Sequence, residues 1–342
     1  MFWREGNAWE LISADSETFT FIAIQIDVWF DNSMSKTALL FAGQGAQAVG
    51  MGQDLIEKFP SAKIWFDRAN AALGYDLAAI CFKGPEPELT RTENAQPGIF
   101  LVGWVAFQLL RERVPSLAFE ATAGLSLGEF TALVAAGAMS FEDGLRVVRQ
   151  RGRFMQEACD ATRGGMAAVI GLDETSTREV CAEAGVVLAN LNCPGQLVIS
   201  GETDKITKAV ELAKARGAKR AIPLPVAGAY HSPLMAGAQP RLQAELEKIN
   251  IAPPAVPVIS NVTALPHGRP SGIRERLVEQ VTASVLWEQS MRTLLAQDFA
   301  RFIELGPGTA LSGFMKRIDK NVQMLNVADV VSLEATAKAI SL

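Results

Sequence analysis

The chain is poor in the residues that most often carry metal, redox or disulfide chemistry. Its four cysteines, Cys81, Cys159, Cys181 and Cys193, show no C-x-x-C spacing and have no histidine beside them. That suggests neither a metal knuckle nor a disulfide framework and fits a reducing cytoplasm. Only two histidines are present, His231 and His267. No low-complexity run and no internal repeat interrupts the 342 residues, so a solenoid or a largely disordered chain is excluded. The apolar stretch FTFIAIQIDVWF (19–30) is too short to span a bilayer and contains Asp27. Glu5, Glu10, Asp15 and Glu17 precede it where a signal peptide would carry basic residues. A formal net charge of −5 argues against a general nucleic-acid binder. What is present, 49% hydrophobic and 20% charged residues, fits a soluble globular enzyme with one large domain and a subdomain. Met34 reads as the functional start, and 1–33 as an extension with no assignable role.

KTALLFAGQGAQAVGMG (36–52) has the pattern of a buried strand running into a Gly-rich turn, the usual opening of an α/β protein. Helical periodicity follows over 53–81 and from about Gln96 to Arg113. A second strand is expected near 120–124, and a long helix over 140–159, where Ser140 and Asp143 form a start like a capping box. Between about 164 and 226 the order becomes strand, helix, strand, strand, helix, strand. That βαββαβ order is the ferredoxin-like unit, self-contained enough to be an insertion. Short apolar strands such as VPVISNV and FIELG follow.

Two features carry chemistry. In ATAGLSLGEFTAL (121–133) an apolar strand leads into G-x-S-x-G and then into a helix, the setting of a nucleophile elbow at Ser126. The bland alternative is a tight structural turn. A serine nucleophile needs a base. His267 lies in the turn-rich LPHGRPSG and is expected to be exposed, whereas His231 follows an apolar strand and precedes a helix, so His231 is the preferred partner. On the helix from Ser140, about 100° per residue gathers Leu145, Val147, Val148, Phe154 and Met155 on one face, with Arg146, Arg149 and Arg153 opposite. Arg151 falls in the middle of the apolar face. An inward guanidinium needs oxygens waiting for it, either a protein carboxylate or a carboxylate that arrives with the substrate. The residues alone leave both readings open.

FAGQGAQ, GLSLGEF, RGRFMQEA, NCPGQLVISG, GAKRAIPLPVAGAYHSPLM and ELGPGTALSGFMKR occur in this order, and the set resembles the malonyl-CoA:acyl carrier protein transacylases over essentially all of 34–342. The resemblance implies an α/β-hydrolase-like core (34–160 and 229–342) carrying a ferredoxin-like subdomain (161–228). It implies Ser126 as the acylated nucleophile, His231 as its base with the Gln280 carbonyl orienting it, and the backbone N–H groups of Gln44 and Leu127 as the oxyanion hole. Arg151 is similar to the arginine that binds the malonyl carboxylate, and Asn192 and Gln196 resemble polar residues lining the cleft. Two departures stand out. Leu125 replaces the histidine common before the serine, and Tyr230 stands where relatives often have phenylalanine, a bulk that leaves little room for an α-methyl branch. The implied partners are malonyl-CoA and an acidic acyl carrier protein; the basic cluster Lys214, Arg216, Lys219 and Arg220, with Lys316 and Arg317, reads either as a docking face for that carrier or as an ordinary solvated helix end. The expectation is a monomer serving fatty acid synthesis without metal or redox cofactor. A hydrolase that releases free acid, and a carrier-binding scaffold without turnover, are the rivals.

Overall fold

A computed structural model describes residues 36–341. The reading of 1–33 as an extension lies outside the described residues. Among those residues nine strands form two sheets: β1 Lys36–Phe41, β2 Ala121–Gly124, β3 Gly164–Ile170, β4 Val187–Cys193, β5 Gln196–Glu202, β6 Arg220–Pro223, β7 Val258–Ile259, β8 Phe299–Leu305 and β9 Gln323–Val327. The fold is mixed α/β, with one parallel and one antiparallel sheet.

The parallel sheet has the order β7-β2-β1-β8-β9. Every residue of β1 after Lys36 is buried, as a parallel strand covered on both faces by helices requires. Phe41 is in register with Gly124 on one side and Leu305 on the other. The turns after β1, β2 and β8 therefore emerge side by side at the carboxyl edge, where open parallel sheets bind ligands. The helix Thr92–Arg113 is the central support on one face, with Ile99, Phe100, Leu101, Val102, Val105 and Phe107 all buried. At about 1.5–3 kcal/mol for each fully buried large apolar side chain, this face fixes the layer before any polar contact is counted.

The antiparallel sheet has the order β4-β5-β3-β6. Helices Glu174–Ala184 and Thr203–Ala215 share with it a separate apolar core that includes Val169, Val180, Leu188, Ile199 and Ile206. Leu191 N–H donates to Val285 O and Val285 N–H to Ala189 O, so β4 is stitched to the segment just after Gln280.

Two local expectations need correction. The helix expected from about Gln96 begins at Thr92. Ser140 does cap the helix Phe141–Ala161 by accepting from Asp143 N–H at 3.1 Å, but the Asp143 carboxylate does not close a box and lies 3.5 Å from Arg146 instead.

Candidate active site

Ser126 sits between the end of β2 and the helix Gly128–Ala135 with φ 53°, a left-handed conformation that L residues seldom adopt. The turn closes because Gly124 has no side chain: a Cβ there would stand 2.0 Å from the Gly128 backbone. The turn after β1 abuts the same elbow, since a Cβ on Gly43 would stand 2.6 Å from Leu125 O. Asn261, which follows β7, holds the elbow from beneath. Its Oδ1 accepts from Ser126 N–H at 2.6 Å and its Nδ2 donates to Gly124 O at 2.8 Å.

His231 Nε2 lies 2.9 Å from Ser126 Oγ, and its Nδ1 lies 2.9 Å from Gln280 O. A carbonyl oxygen only accepts, so Nδ1 carries the proton and Nε2 turns its lone pair to the hydroxyl. Burial, and then the Arg151 cation, push the His231 pKa down to about 4. The imidazole is therefore a neutral base at pH 7, and the sign of its pH dependence follows. Reaction of Ser126 with an active-site-directed phosphonate should hold its rate as pH falls through 6.5, the ordinary histidine value, and lose it only near 4. An acid limb near 6.5 in the free protein would contradict this arrangement.

Arg151 is 1% exposed. Gly152, beside it, lets the helix press onto Thr92 and so brings the guanidinium to the helix Thr92–Arg113. Nη1 donates to Gln96 Oε1 at 2.7 Å, and Nη2 to Gln280 Oε1 and Ser126 Oγ, each at 3.0 Å. All three acceptors are neutral, and no carboxylate pairs with Arg151 among the described residues. Burial lowers its pKa to about 10, opposed by Glu129, so it stays cationic at pH 7. The Nε–H has no partner among the described residues. The site thus holds a hydroxyl with its base and, on the same hydroxyl, a buried cation whose protein contacts leave its charge unpaired.

Gln44 joins the site through its side chain, which accepts from Gln96 Nε2 at 3.3 Å and donates to Tyr230 Oη at 3.3 Å. The Tyr230 hydroxyl also bonds Thr92 Oγ1, so the ring is tethered at its far end. Among the described residues neither Gln44 N–H nor Leu127 N–H is used by the backbone. Ser126, His231, Gln280, Arg151, Gln44 and Tyr230 therefore belong to one network with Leu127 next in chain. Among the described residues Asn192 and Gln196 do not join it: Asn192 Oδ1 is buried with no partner there, and Gln196 accepts from Arg317 at 2.8 Å.

Other expectations change. His267 is not exposed; its side chain has no accessible surface, and its Nε2 lies 2.6 Å from Glu129 Oε1. In the basic cluster, Lys214 pairs with Glu211, and Arg216 with Glu179 and Glu183, which blunts the positive charge of that helix end. Sequence reasoning gave no role to Gln96, Asn261 or Glu129. Only Glu129 had a local signal, its place in GLSLGEF.

Comparison with known proteins places the chain in a family. The acyl transferase domain family matches residues 38–336. The malonyl CoA-acyl carrier protein transacylase of Bacillus subtilis is 45% identical over 306 residues, 88% of this chain and 96% of that protein. The acyl-carrier-protein S-malonyltransferase of Bartonella henselae superposes with a TM-score of 0.86 at 38% identity, covering 90% of this chain and all of that one. A malonyl-transacylase solved in complex with its type II polyketide synthase acyl-carrier protein gives a TM-score of 0.86 at 37% identity, covering 89% of this chain and 100% of that one. No helix among the described residues is long and apolar enough to cross a membrane. The elbow serine, its histidine, the buried arginine and these relatives lead to one conclusion: the chain belongs to the malonyl CoA-acyl carrier protein transacylase family of acyl transferase domains.

Proposed function

We propose that this protein transfers malonyl from malonyl-CoA to the phosphopantetheine thiol of an acyl carrier protein, through a malonyl ester on Ser126, in a cytoplasm and in support of fatty acid synthesis. The carrying observation is Arg151, a buried cation that among the described residues meets only neutral acceptors and donates to the hydroxyl that would bear the acyl group. A plain esterase has no use for it.

In the first half-reaction His231 Nε2 takes the Ser126 proton as Oγ attacks the thioester carbonyl. The oxyanion is received by the N–H groups of Gln44 and Leu127, and Coenzyme A leaves as the thiol with the proton from His231. The carrier thiol then gives its proton to His231, attacks the ester and frees Ser126. Arg151 holds the malonyl carboxylate in a bidentate pair throughout, and neither metal nor redox cofactor takes part. We read the parallel-sheet unit, 34–160 and 229–342, as hydrolase-like. The β4-β5-β3-β6 order supports reading 161–228 as ferredoxin-like. Asn192 and Gln196 would line the insert side of the cleft. Lys219, Arg220, Lys316 and Arg317 are the better candidates for carrier docking, because Lys214 and Arg216 already face glutamates. A monomer suffices for each step.

The test is to incubate the protein with labelled malonyl-CoA, isolate the acyl-enzyme and add holo carrier protein. Label passing from protein to carrier supports transfer, label released as malonate indicates hydrolysis, and no labelled protein indicates a scaffold. Tyr230→Ala gives a specificity test. Removing the tethered ring should raise kcat/KM for methylmalonyl-CoA relative to malonyl-CoA by about tenfold, the scale set by one methyl-sized contact. An unchanged ratio would remove Tyr230 from substrate selection.

A further inference from the structure

Directly beneath the elbow lies a carboxylate that this chemistry does not use. Glu129 has no accessible surface. Its Oε2 accepts from Gln280 Nε2 at 2.7 Å and from Asn261 backbone N–H at 2.9 Å, and its Oε1 accepts from His267 Nε2 at 2.6 Å. His267 is an expensive partner, since its ring is wholly buried and Nδ1 has nothing to bond among the described residues. Among the described residues the ring's single polar contact is with Glu129.

The groups that Glu129 engages are those that fix the site. Asn261 holds Ser126 N–H and Gly124 O. Gln280 holds His231 by its backbone carbonyl and Arg151 by its side-chain oxygen. A carboxylate only accepts, so the Gln280 NH2 group must face Glu129, and the amide oxygen is thereby turned to Arg151. The flipped amide would set NH2 against the guanidinium and oxygen against both the carboxylate and Ser126 O, to which Nε2 also donates at 3.0 Å, three repulsive contacts replacing three attractive ones. Glu129 also supplies negative charge to Arg151 at one remove: near enough to favour the cation against burial, yet out of contact with the guanidinium donors.

We propose that Glu129, clamped by His267, is a positioning residue for the carboxylate-binding arginine: through the Gln280 amide it aims Arg151 and keeps its charge unpaired for the free acid of the acyl donor. This rests on the malonyl-transfer reading and adds the device that makes the cation selective.

The test compares full-length wild type with Glu129→Gln, His267→Phe and His267→Gln, the last able to donate an amide N–H where the imidazole did. Active sites are counted by phosphonate labelling of Ser126, and kcat/KM is measured for malonyl-CoA and acetyl-CoA. Glu129→Gln and His267→Phe should lower the malonyl-to-acetyl ratio by about tenfold, with His267→Gln within about threefold of wild type. An unchanged ratio, or an equal loss with both donors, would show a purely structural role and overturn the inference. If Glu129→Gln does not fold, Glu129→Asp, which keeps the charge and retracts it by one methylene, decides on the same ratio. A wild-type protein that forms no malonyl-Ser126 would defeat the malonyl-transfer reading itself. A wild type that transfers malonyl, with variants that keep the ratio, defeats only the role of Glu129.

Discussion

Ser126→Ala should form no malonyl-enzyme and should lose transfer to the carrier by about 10⁴–10⁶-fold, the range found when an acyl-enzyme nucleophile is removed. The loss should be chemical, not structural. Alanine at φ 53° is strained about as much as serine. Arg151 keeps Gln96 and Gln280 as acceptors when Oγ is gone, and His231 keeps Gln280 O. Thermal unfolding should therefore shift by no more than the equivalent of about 2 kcal/mol, the two modest hydrogen bonds that Oγ makes. Mass spectrometry of the intact protein after incubation with malonyl-CoA reads the result. The cysteines are poor substitutes as nucleophiles: burial pushes the Cys159 thiol up to about 11 and Cys81 up to about 12, leaving little thiolate at pH 7. A malonyl adduct that survives the substitution would move the nucleophile away from the elbow.

How far the site was legible depended on whether a residue's role was written into local spacing. The elbow is local: strand, glycine, serine, glycine and helix lie within a dozen residues, and the close approach of Gly124 to Gly128 is a property of that short stretch. Arg151 was legible because a helix has a period, and a charged residue in phase with Leu145, Val148 and Phe154 stands out before any coordinates exist. The alternating order from 164 to 226 likewise foretold the antiparallel sheet with two helices. Gln96, Asn261 and Gln280 had no such mark. They are neutral polar residues whose partners lie 55, 135 and 129 positions away in the chain, so only the topology brings them to the serine and the arginine. His267 misled for a physical reason. LPHGRPSG is a surface turn by composition, but Pro266 bridges back to Ile259 and His267 N–H donates to Val258 O, which turns the imidazole inward onto Glu129 while Leu265 stays exposed. The basic cluster is another matter of topology: Lys214 and Arg216 were counted along the sequence, and the glutamates that pair with Arg216 come from the neighbouring helix of the small sheet.

Arg151→Ala should lower kcat/KM for malonyl-CoA by about 10²–10³-fold, because truncating one partner of a buried charge pair costs about 2–5 kcal/mol. The same substitution should leave kcat/KM for acetyl-CoA within a few-fold, since acetyl presents nothing for the guanidinium to hold. The ratio is the diagnostic quantity: an equal loss with both donors would mean that Arg151 serves the elbow and not the substrate. A second reading comes from the base. The Arg151 cation is one of the two causes that hold His231 near 4, so its removal should raise that pKa toward the ordinary 6.5 and carry the acid limb of serine reactivity up with it. Arg151→Lys separates charge from shape. A lysine keeps the cation and so should keep the low acid limb, but an ammonium on a flexible stem cannot reach Gln96 and Gln280 while gripping a carboxylate in two places. Malonyl selectivity should then fall in both variants while the pH profile moves only in the alanine, a pattern that a general loss of folding would not produce.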